Sequence, residues 1–192
     1  IASPSPFTKL KSFVFKCVKE RYLNIKNPSY TIRKNICDSI SVLIISGIGH
    51  AWKTCIEELI KEATNGPEYC FIVLTALADI DLIIDLNSTS DNWSEENIIM
   101  DKEKSIIRDK LIEHKNKVMD FVNKVINELS TLEQNLKNRI IYAIIDLIKC
   151  WTQFDLNILS NLQVYQKFFS LIDLFHHIDH KIFACYSFLI FN

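Results

Sequence analysis

Residues 29–66 read SYTIRKNICDSISVLIISGIGHAWKTCIEELIKEATNG and contain two stretches of apolar residues at helical spacing. The first stretch follows Ser29, a residue type that caps helix starts, and stops at Gly47 and Gly49. The second covers about 50–64 and ends at Asn65-Gly66, a common signal for a helix end. The apolar positions of the two stretches are Ile32, Ile36, Ile40, Leu43 and Ile44, then Trp52, Cys55, Ile56, Leu59 and Ile60. The pattern therefore predicts two successive helices joined by a short turn.

The same pattern extends in both directions from this stretch, and it predicts an all-α fold. Only three Gly and four Pro occur among 192 residues, too few turn-forming residues for a β-sandwich, a β-barrel or an α/β fold. Pro67 is suited to the first turn of the next helix. The predicted helices cover about 7–26, 29–47, 50–64, 67–78 with a possible extension to 86, 103–129, 133–152, 161–175 and 177–192.

These eight helices form four predicted antiparallel pairs. The second helices of the pairs begin near 29, 67, 133 and 177. When one long insertion is subtracted, they recur at about 40 residues, the period of HEAT and armadillo repeats. We therefore expect an α-solenoid of about four HEAT-like pairs. Residues 1–192 are interpreted as a single repeat fragment of a larger protein, because the apolar residues 188–191 would leave the array without a polar cap.

Charge is distributed unevenly along the chain, although the net charge is only -1. Residues 7–36 carry eight basic side chains and one acidic one, whereas 79–103 carry eight acidic and one basic. Within the acidic part, about 87–102 lacks helical periodicity and is predicted to be a long loop. A solvated surface is the favoured interpretation of both runs. One alternative is that the loop attracts a basic partner through its acidic residues and an exposed tryptophan, namely Asp91, Trp93, Glu95, Glu96 and Asp101. A less favoured alternative is nucleic-acid binding by the basic run 7–36.

Composition and motifs give little support to other classes of function. The six cysteines form no CxxC pair, which favours buried, reduced thiols and a location in the cytoplasm or nucleus. The longest charge-free apolar run, 182–191, is too short to span a bilayer, and the balanced net charge argues against direct nucleic-acid binding. His176 and His180 have a spacing that occurs in zinc sites, but no third ligand is evident. We expect no catalytic residue, metal or cofactor, and a helical enzyme is the least favoured hypothesis.

Several segments resemble the importin-β superfamily, specifically its transportin-SR and importin-13 branch. AWKTCIEELI at 51–60 resembles a tryptophan-led helix of that branch, and the preceding Ile32-Arg33 and 38–43 match the helix before it. FIVLTAL at 71–77 and CWTQF at 150–154 are similar to two later segments in the same order. The chain departs from the branch at 78–81, where Ala-Asp-Ile-Asp lacks an expected proline.

The resemblance implies a nuclear transport receptor. Such receptors bind protein cargo and the GTP-bound GTPase Ran on a concave face, while phenylalanine-glycine repeats of nuclear pore proteins bind between outer helices. The second helix of each pair would line the concave face. Helical geometry gives the candidate partner-binding residues on the faces opposite the apolar stripes as Lys34, Asp38, Ser41, Asn135, Asn138, Tyr142 and Lys149. A HEAT-repeat scaffold or adaptor unrelated to transport is the alternative function, and Trp52 and Trp151 are expected to be structural.

Overall fold

The computed structural model of the chain describes residues 5–22, 29–49, 51–80 and 101–154, and every regular element within them is helical. The predicted all-α class is confirmed for this part of the chain. Its α-helices are α1 Pro6–Cys17, α2 Tyr30–Gly47, α3 Cys55–Ala63, α4 Pro67–Ala78, α5 Asp101–Glu113, α6 Lys115–Glu128 and α7 Gln134–Phe154. The predicted helices at 161–175 and 177–192 lie outside the described residues.

The helix starts that were predicted from local signals agree with the structure. The side chain of Ser29 accepts a hydrogen bond from the Ile32 backbone N–H at 3.4 Å and so caps α2. Pro67 is the first residue of α4, as predicted. It follows Gly66, whose φ of 149° favours glycine. A π-helical turn, Val18–Tyr22, continues α1 and buries both Val18 and Tyr22.

The predicted start of the third helix near residue 50 is wrong, since α3 begins at Cys55. The backbone N–H of Trp52 donates to the carbonyl of Gly47 at 2.7 Å, which folds the chain back at the end of α2. This turn places the indole of Trp52 between Phe7 and Phe15 of α1, at ring-centroid distances of 6.3 and 6.1 Å. The tertiary contact of the tryptophan therefore replaces the first turn of the expected helix.

The predicted single helix over 103–129 is also wrong, because α5 and α6 are separated at His114. The backbone N–H of His114 donates to Leu111 at 2.9 Å, a tighter turn than an α-helix makes. Between Leu111 and Val118 no residue is buried, so the core does not hold this stretch straight. Helix α5 begins at Asp101, two residues before the predicted loop of 87–102 was expected to end. Residues 81–100 lie outside the described part.

Helix α4 lies between α2 and α7 at the centre of the described fold. On one side, the Cys37 thiol approaches the carbonyl of Ile72 at 3.9 Å, and one turn later the Ser41 hydroxyl lies 2.7 Å from the carbonyl of Ala76. The positions on both helices increase together, so α2 and α4 run parallel. Residues that follow each other along α2 therefore face successive turns of α4.

The contacts between α4 and α7 follow the same direction. Arg139 near the start of α7 binds Glu68 near the start of α4, with N–O distances of 2.9 and 3.0 Å. Near the other end, the indole N–H of Trp151 donates to the carbonyl of Leu77 at 3.0 Å. Helices α2, α4 and α7 are therefore parallel neighbours. On the other side of α4, α3 packs against both α4 and α6.

The two described tryptophans and most described cysteines lie in the core. Trp151 is fully buried and Trp52 is 3% exposed, which confirms that both are packed inside the fold. Cys37, Cys55, Cys70 and Cys150 are buried and form no disulfide, and Cys17 is half-buried. Burial raises the pKa of the Cys37, Cys55 and Cys70 thiols to about 12. These thiols are therefore protonated at neutral pH and behave as small apolar side chains.

Candidate functional site

A groove of about 350 Å³ crosses the shared face of the three parallel helices. We call it the α2–α4–α7 groove. Its lining combines apolar and aromatic side chains with charged groups from all three helices: Tyr30, Arg33, Lys34, Cys37, Phe71, Thr75, Ala78, Asp79, Arg139, Tyr142, Ala143 and Asp146. A volume of this size accommodates a few side chains of a partner rather than a whole domain.

The acidic part of the groove is formed by Asp79, which directly follows α4, and by Asp146 of α7. Burial raises the pKa of both carboxyl groups, and for Asp79 the nearby charges of Asp38 and Asp146 raise it further. Lys34 partly opposes this effect on Asp79, but its ammonium group is bound to Asp38 at 3.2 Å. Lys149 has the same partial effect on Asp146. Neither Asp79 nor Asp146 forms an ion pair within the described residues, and the basic side chains of Arg33, Lys34 and Arg139 line the same groove.

The other part of the groove is rigid and basic. The guanidinium of Arg139 binds both carboxylate oxygens of Glu68, and it lies over the ring of Phe71 at 4.2 Å from the ring centroid. The Tyr22 hydroxyl donates to Glu68 at 3.2 Å. Because burial and the Glu68 charge disfavour the phenolate, the pKa of Tyr22 rises to about 12. This cluster joins the turn after α1 to α4 and α7, and it fixes the groove wall.

The candidates predicted on the second helix are only partly correct. Lys34 is exposed and Asp38 is half-buried at the edge of the groove, and they form an ion pair with each other. The prediction that Ser41 lies on the exposed face is wrong, since it is 0% exposed and its hydroxyl lies within hydrogen-bond distance of the Cys37 and Ala76 carbonyls. A small hydroxyl side chain there lets α2 and α4 approach closely.

The candidates predicted on the helix at 133–152 belong to α7 in the structure, and they differ in exposure. Tyr142 lines the groove and is exposed, and Lys149 is exposed about two turns further along α7. Asn135 is exposed near the helix start and does not line the groove. Asn138 is half-buried and accepts a hydrogen bond from Gln134 at 2.8 Å. Thus only Tyr142 and Lys34 of the predicted set line the groove.

The remaining candidates belong to the acidic loop. Asp91, Trp93, Glu95 and Glu96 lie outside the described residues, so their proposed attraction for a basic partner stays a prediction. Asp101 is the first residue of α5 and thus belongs to a helix rather than to the loop.

Sequence reasoning missed Asp79, Asp146 and Tyr30 as groove residues. The signal for Asp146 was present, because it lies four residues after Tyr142 and therefore on the same helix face. Tyr30 is 72% exposed, an unusual exposure for a large aromatic side chain at a helix start. Asp79 follows α4 directly, and only the arrangement of three helices reveals its position in the groove.

A second groove of about 700 Å³ lies between α3 and α6 and is closed at one end by the starts of α4 and α7. Its floor is mainly apolar and is formed by Ile60, Ala63, Cys70, Phe121, Val125, Leu132 and Ile140. Charged side chains surround this floor. Glu57 of α3 contacts Lys117 of α6 at the rim, and it also lies 3.5 Å from His114. Burial opposes charge on Glu57, but these partners outweigh that effect and lower its pKa.

The described part of the chain offers no set of three or more His, Cys, Asp or Glu side chains that could hold a metal ion. Within the same residues, no helix has the length and apolar character needed to cross a bilayer.

Comparison with family models, with characterised proteins and with solved structures gives no match to this chain.

Proposed function

We propose that the chain is a HEAT-repeat segment of a nuclear transport receptor that binds protein cargo and GTP-bound Ran. The main support is the parallel arrangement of α2, α4 and α7, whose common face carries the α2–α4–α7 groove. These are the second helices of the predicted pairs, the ones to which the resemblance assigns the partner-binding face. The activity is binding, without chemistry on the partner.

The arrangement of the pairs supports a solenoid within this proposal. Helices α1 and α2 contact each other, and so do α3 and α4. The proposal takes these as two units and assigns α6 and α7 to a third, with α5 preceding α6. The second helix of each unit contacts the second helix of the next, and α3 contacts α6. Repetition of this neighbour relation generates a superhelix with two helical layers.

The α3–α6 groove supports the expected contact with nuclear pore proteins. It lies between the first helices of two successive units, where the resemblance places phenylalanine-glycine repeats. Its apolar floor offers a phenylalanine ring contacts with Phe121 and Val125. The charged side chains at the rim are hydrated, so water competes with a bound phenylalanine ring and the binding stays weak.

The proposal is tested with the chain immobilised on beads and with Ran loaded either with GDP or with a non-hydrolysable GTP analogue. We expect retention of the GTP form and much weaker retention of the GDP form. Equal retention of both forms, or retention of neither, would contradict the transport function. The scaffold alternative predicts no dependence on nucleotide.

A fluorescent fusion of the chain supplies an independent measurement. Transport through the nuclear pore predicts fluorescence in both the cytoplasm and the nucleus, with recovery in the nucleus after photobleaching. Exclusion from the nucleus would count against the proposal.

A further inference from the structure

Helix α1 carries apolar side chains on two faces, and the fold covers only one of them. Phe7, Val14 and Phe15 are half-buried and pack against the core. Leu10 and Phe13, in contrast, are 53% and 62% exposed. No residue of α1 is fully buried. The helix therefore presents a second apolar surface to the solvent.

Two lysines flank this second surface. Leu10 and Phe13 are three residues apart, so their side chains are neighbours on one side of the helix. Lys9 lies four residues before Phe13 and Lys16 three residues after it, and both lysines are exposed. We call these four residues the outer face of α1. It combines two large apolar side chains with two ammonium groups.

The charge of the outer face is positive and is not neutralised by the fold. Lys9 forms no ion pair with another described residue. Lys16 lies 3.9 Å from Glu20, and the two side chains are 66% and 60% exposed. A pair with this exposure is weak and leaves the lysine available to another anion. Residues 5–22 carry five basic side chains and one acidic one, so the surroundings are also basic.

The position of the outer face favours a broad surface as its partner. No residue of α1 lines either of the two grooves described above. Protein segments in the common modes of recognition occupy a groove or extend a sheet edge. A bilayer requires neither, because leucine and phenylalanine enter the boundary between headgroups and acyl chains while lysines reach the anionic headgroups. Helix α1 has 12 residues and crossing takes about 20, so it can only lie on a bilayer.

We propose that the outer face of α1 docks on an anionic lipid surface. Leu10 and Phe13 enter the headgroup boundary, and Lys9 and Lys16 bind lipid phosphates on either side of the phenylalanine. The inner face of the helix stays packed on the core, so docking requires no unfolding. This docking is separate from the proposed transport function and requires neither Ran nor cargo.

The test is cosedimentation of the purified chain with vesicles. One preparation is an equimolar mixture of phosphatidylcholine and phosphatidylserine, and the other is phosphatidylcholine alone. We expect binding to the mixed vesicles and at least about tenfold weaker binding to the neutral ones, because each basic residue near an anionic surface contributes about fivefold in affinity. Added salt should weaken binding to the mixed vesicles, since it screens this attraction.

Two double variants separate the apolar and the charged contributions. Leu10→Ala combined with Phe13→Ala should weaken binding to the mixed vesicles by about tenfold or more, because less apolar surface leaves water. Lys9→Gln combined with Lys16→Gln should weaken it to a similar extent. All four side chains are exposed, so both variants should remain folded, and circular dichroism verifies this point.

Matched controls come from helices that lie elsewhere in the fold. Ile106→Ala removes an apolar side chain of α5 that is 45% exposed, and Lys149→Gln removes an exposed lysine of α7. Both should bind the mixed vesicles as the wild-type chain does. A comparable loss in these controls would show that the binding is not specific to α1 and would overturn the inference.

Three other results would also overturn it: no sedimentation with the mixed vesicles, equal binding to both preparations, or unchanged binding in both double variants. Single-stranded RNA is the competing polyanion. Tighter binding of RNA than of mixed vesicles, lost in the lysine variant but kept in the alanine variant, would assign the outer face to nucleic acid instead. The Ran experiment is independent, because a chain that fails it can still bind vesicles through α1.

Discussion

Replacement of Trp52 by alanine tests whether the turn between α2 and α3 is held by this side chain. The indole is 3% exposed and contacts the rings of Phe7 and Phe15. The Lys11 ammonium lies 4.8 Å from the centroid of the indole and is held there by Glu58 at 3.0 Å. One side chain thus joins α1 to the start of α3, and its loss should destabilise the whole described fold.

The expected loss in the free energy of unfolding follows from the burial of the Trp52 side chain. An aromatic side chain removes about 150–250 Å² from water on burial, which at about 25 cal/mol per Å² corresponds to roughly 4–6 kcal/mol. Alanine retains one carbon of the side chain, and the neighbours close part of the cavity. Large aromatic-to-alanine changes accordingly lower the free energy of unfolding by about 3–5 kcal/mol. We expect Trp52→Ala to fall in this range.

The measurement is urea unfolding of the purified chain, followed by far-ultraviolet circular dichroism so that loss of the indole does not change the signal. Phe13→Ala is the matched control, because this aromatic residue of α1 is 62% exposed. The control should change the free energy of unfolding by less than about 0.5 kcal/mol. A loss below about 1 kcal/mol for Trp52→Ala would refute the reasoning, since it would show that the indole is not part of the core.

Three further predictions concern other parts of the fold. Arg139→Ala should lower the free energy of unfolding by about 1–3 kcal/mol, and Arg139→Lys by less, because lysine keeps the charge but cannot bind both oxygens of Glu68; urea unfolding measures both. Iodoacetamide at pH 8 should label Cys17 before Cys37 in the native chain, as mass spectrometry of peptides would show, and equal rates would contradict the burial. Asp79→Asn should raise stability at pH 7 but not near pH 3, and an unchanged difference across that range would contradict the raised pKa.

The sign of the Asp79 prediction follows from proton linkage. Its folded-state pKa is raised above the ordinary value of 3.8, mainly by burial. The folded chain therefore holds this proton more tightly than the unfolded chain does. The associated stability is fully present below about pH 4 and is lost as the pH rises through the folded pKa. Asparagine has no proton to lose, so the variant avoids this loss at neutral pH.

Local signals in the sequence were sufficient for part of the fold. Ser29 and Pro67 define helix starts because their side chains act on the adjacent backbone, without help from distant residues. The burial of Trp151 follows from its position on the apolar stripe of its helix. In each case the determinant lies within one helical turn of the residue concerned, and the prediction is confirmed.

The remaining features depend on contacts between distant segments. The late start of α3 at Cys55 depends on the contacts of Trp52 with α1. The interruption between α5 and α6 at His114 is not marked by a glycine or proline in the sequence. Helical geometry predicted Ser41 on a polar face, but its hydroxyl forms a hydrogen bond within the interface between α2 and α4. Because helical periodicity assigns faces relative to a single apolar stripe, it cannot identify a small polar residue that serves a helix–helix contact.

The two carboxylates of the α2–α4–α7 groove connect stability to function. Asp79 is half-buried and has no ion pair in the described residues, so it makes the folded chain less stable at neutral pH than a neutral side chain would. Asp146 is exposed on α7. Local rules of folding therefore do not explain Asp79, and departures of this kind are concentrated at functional sites.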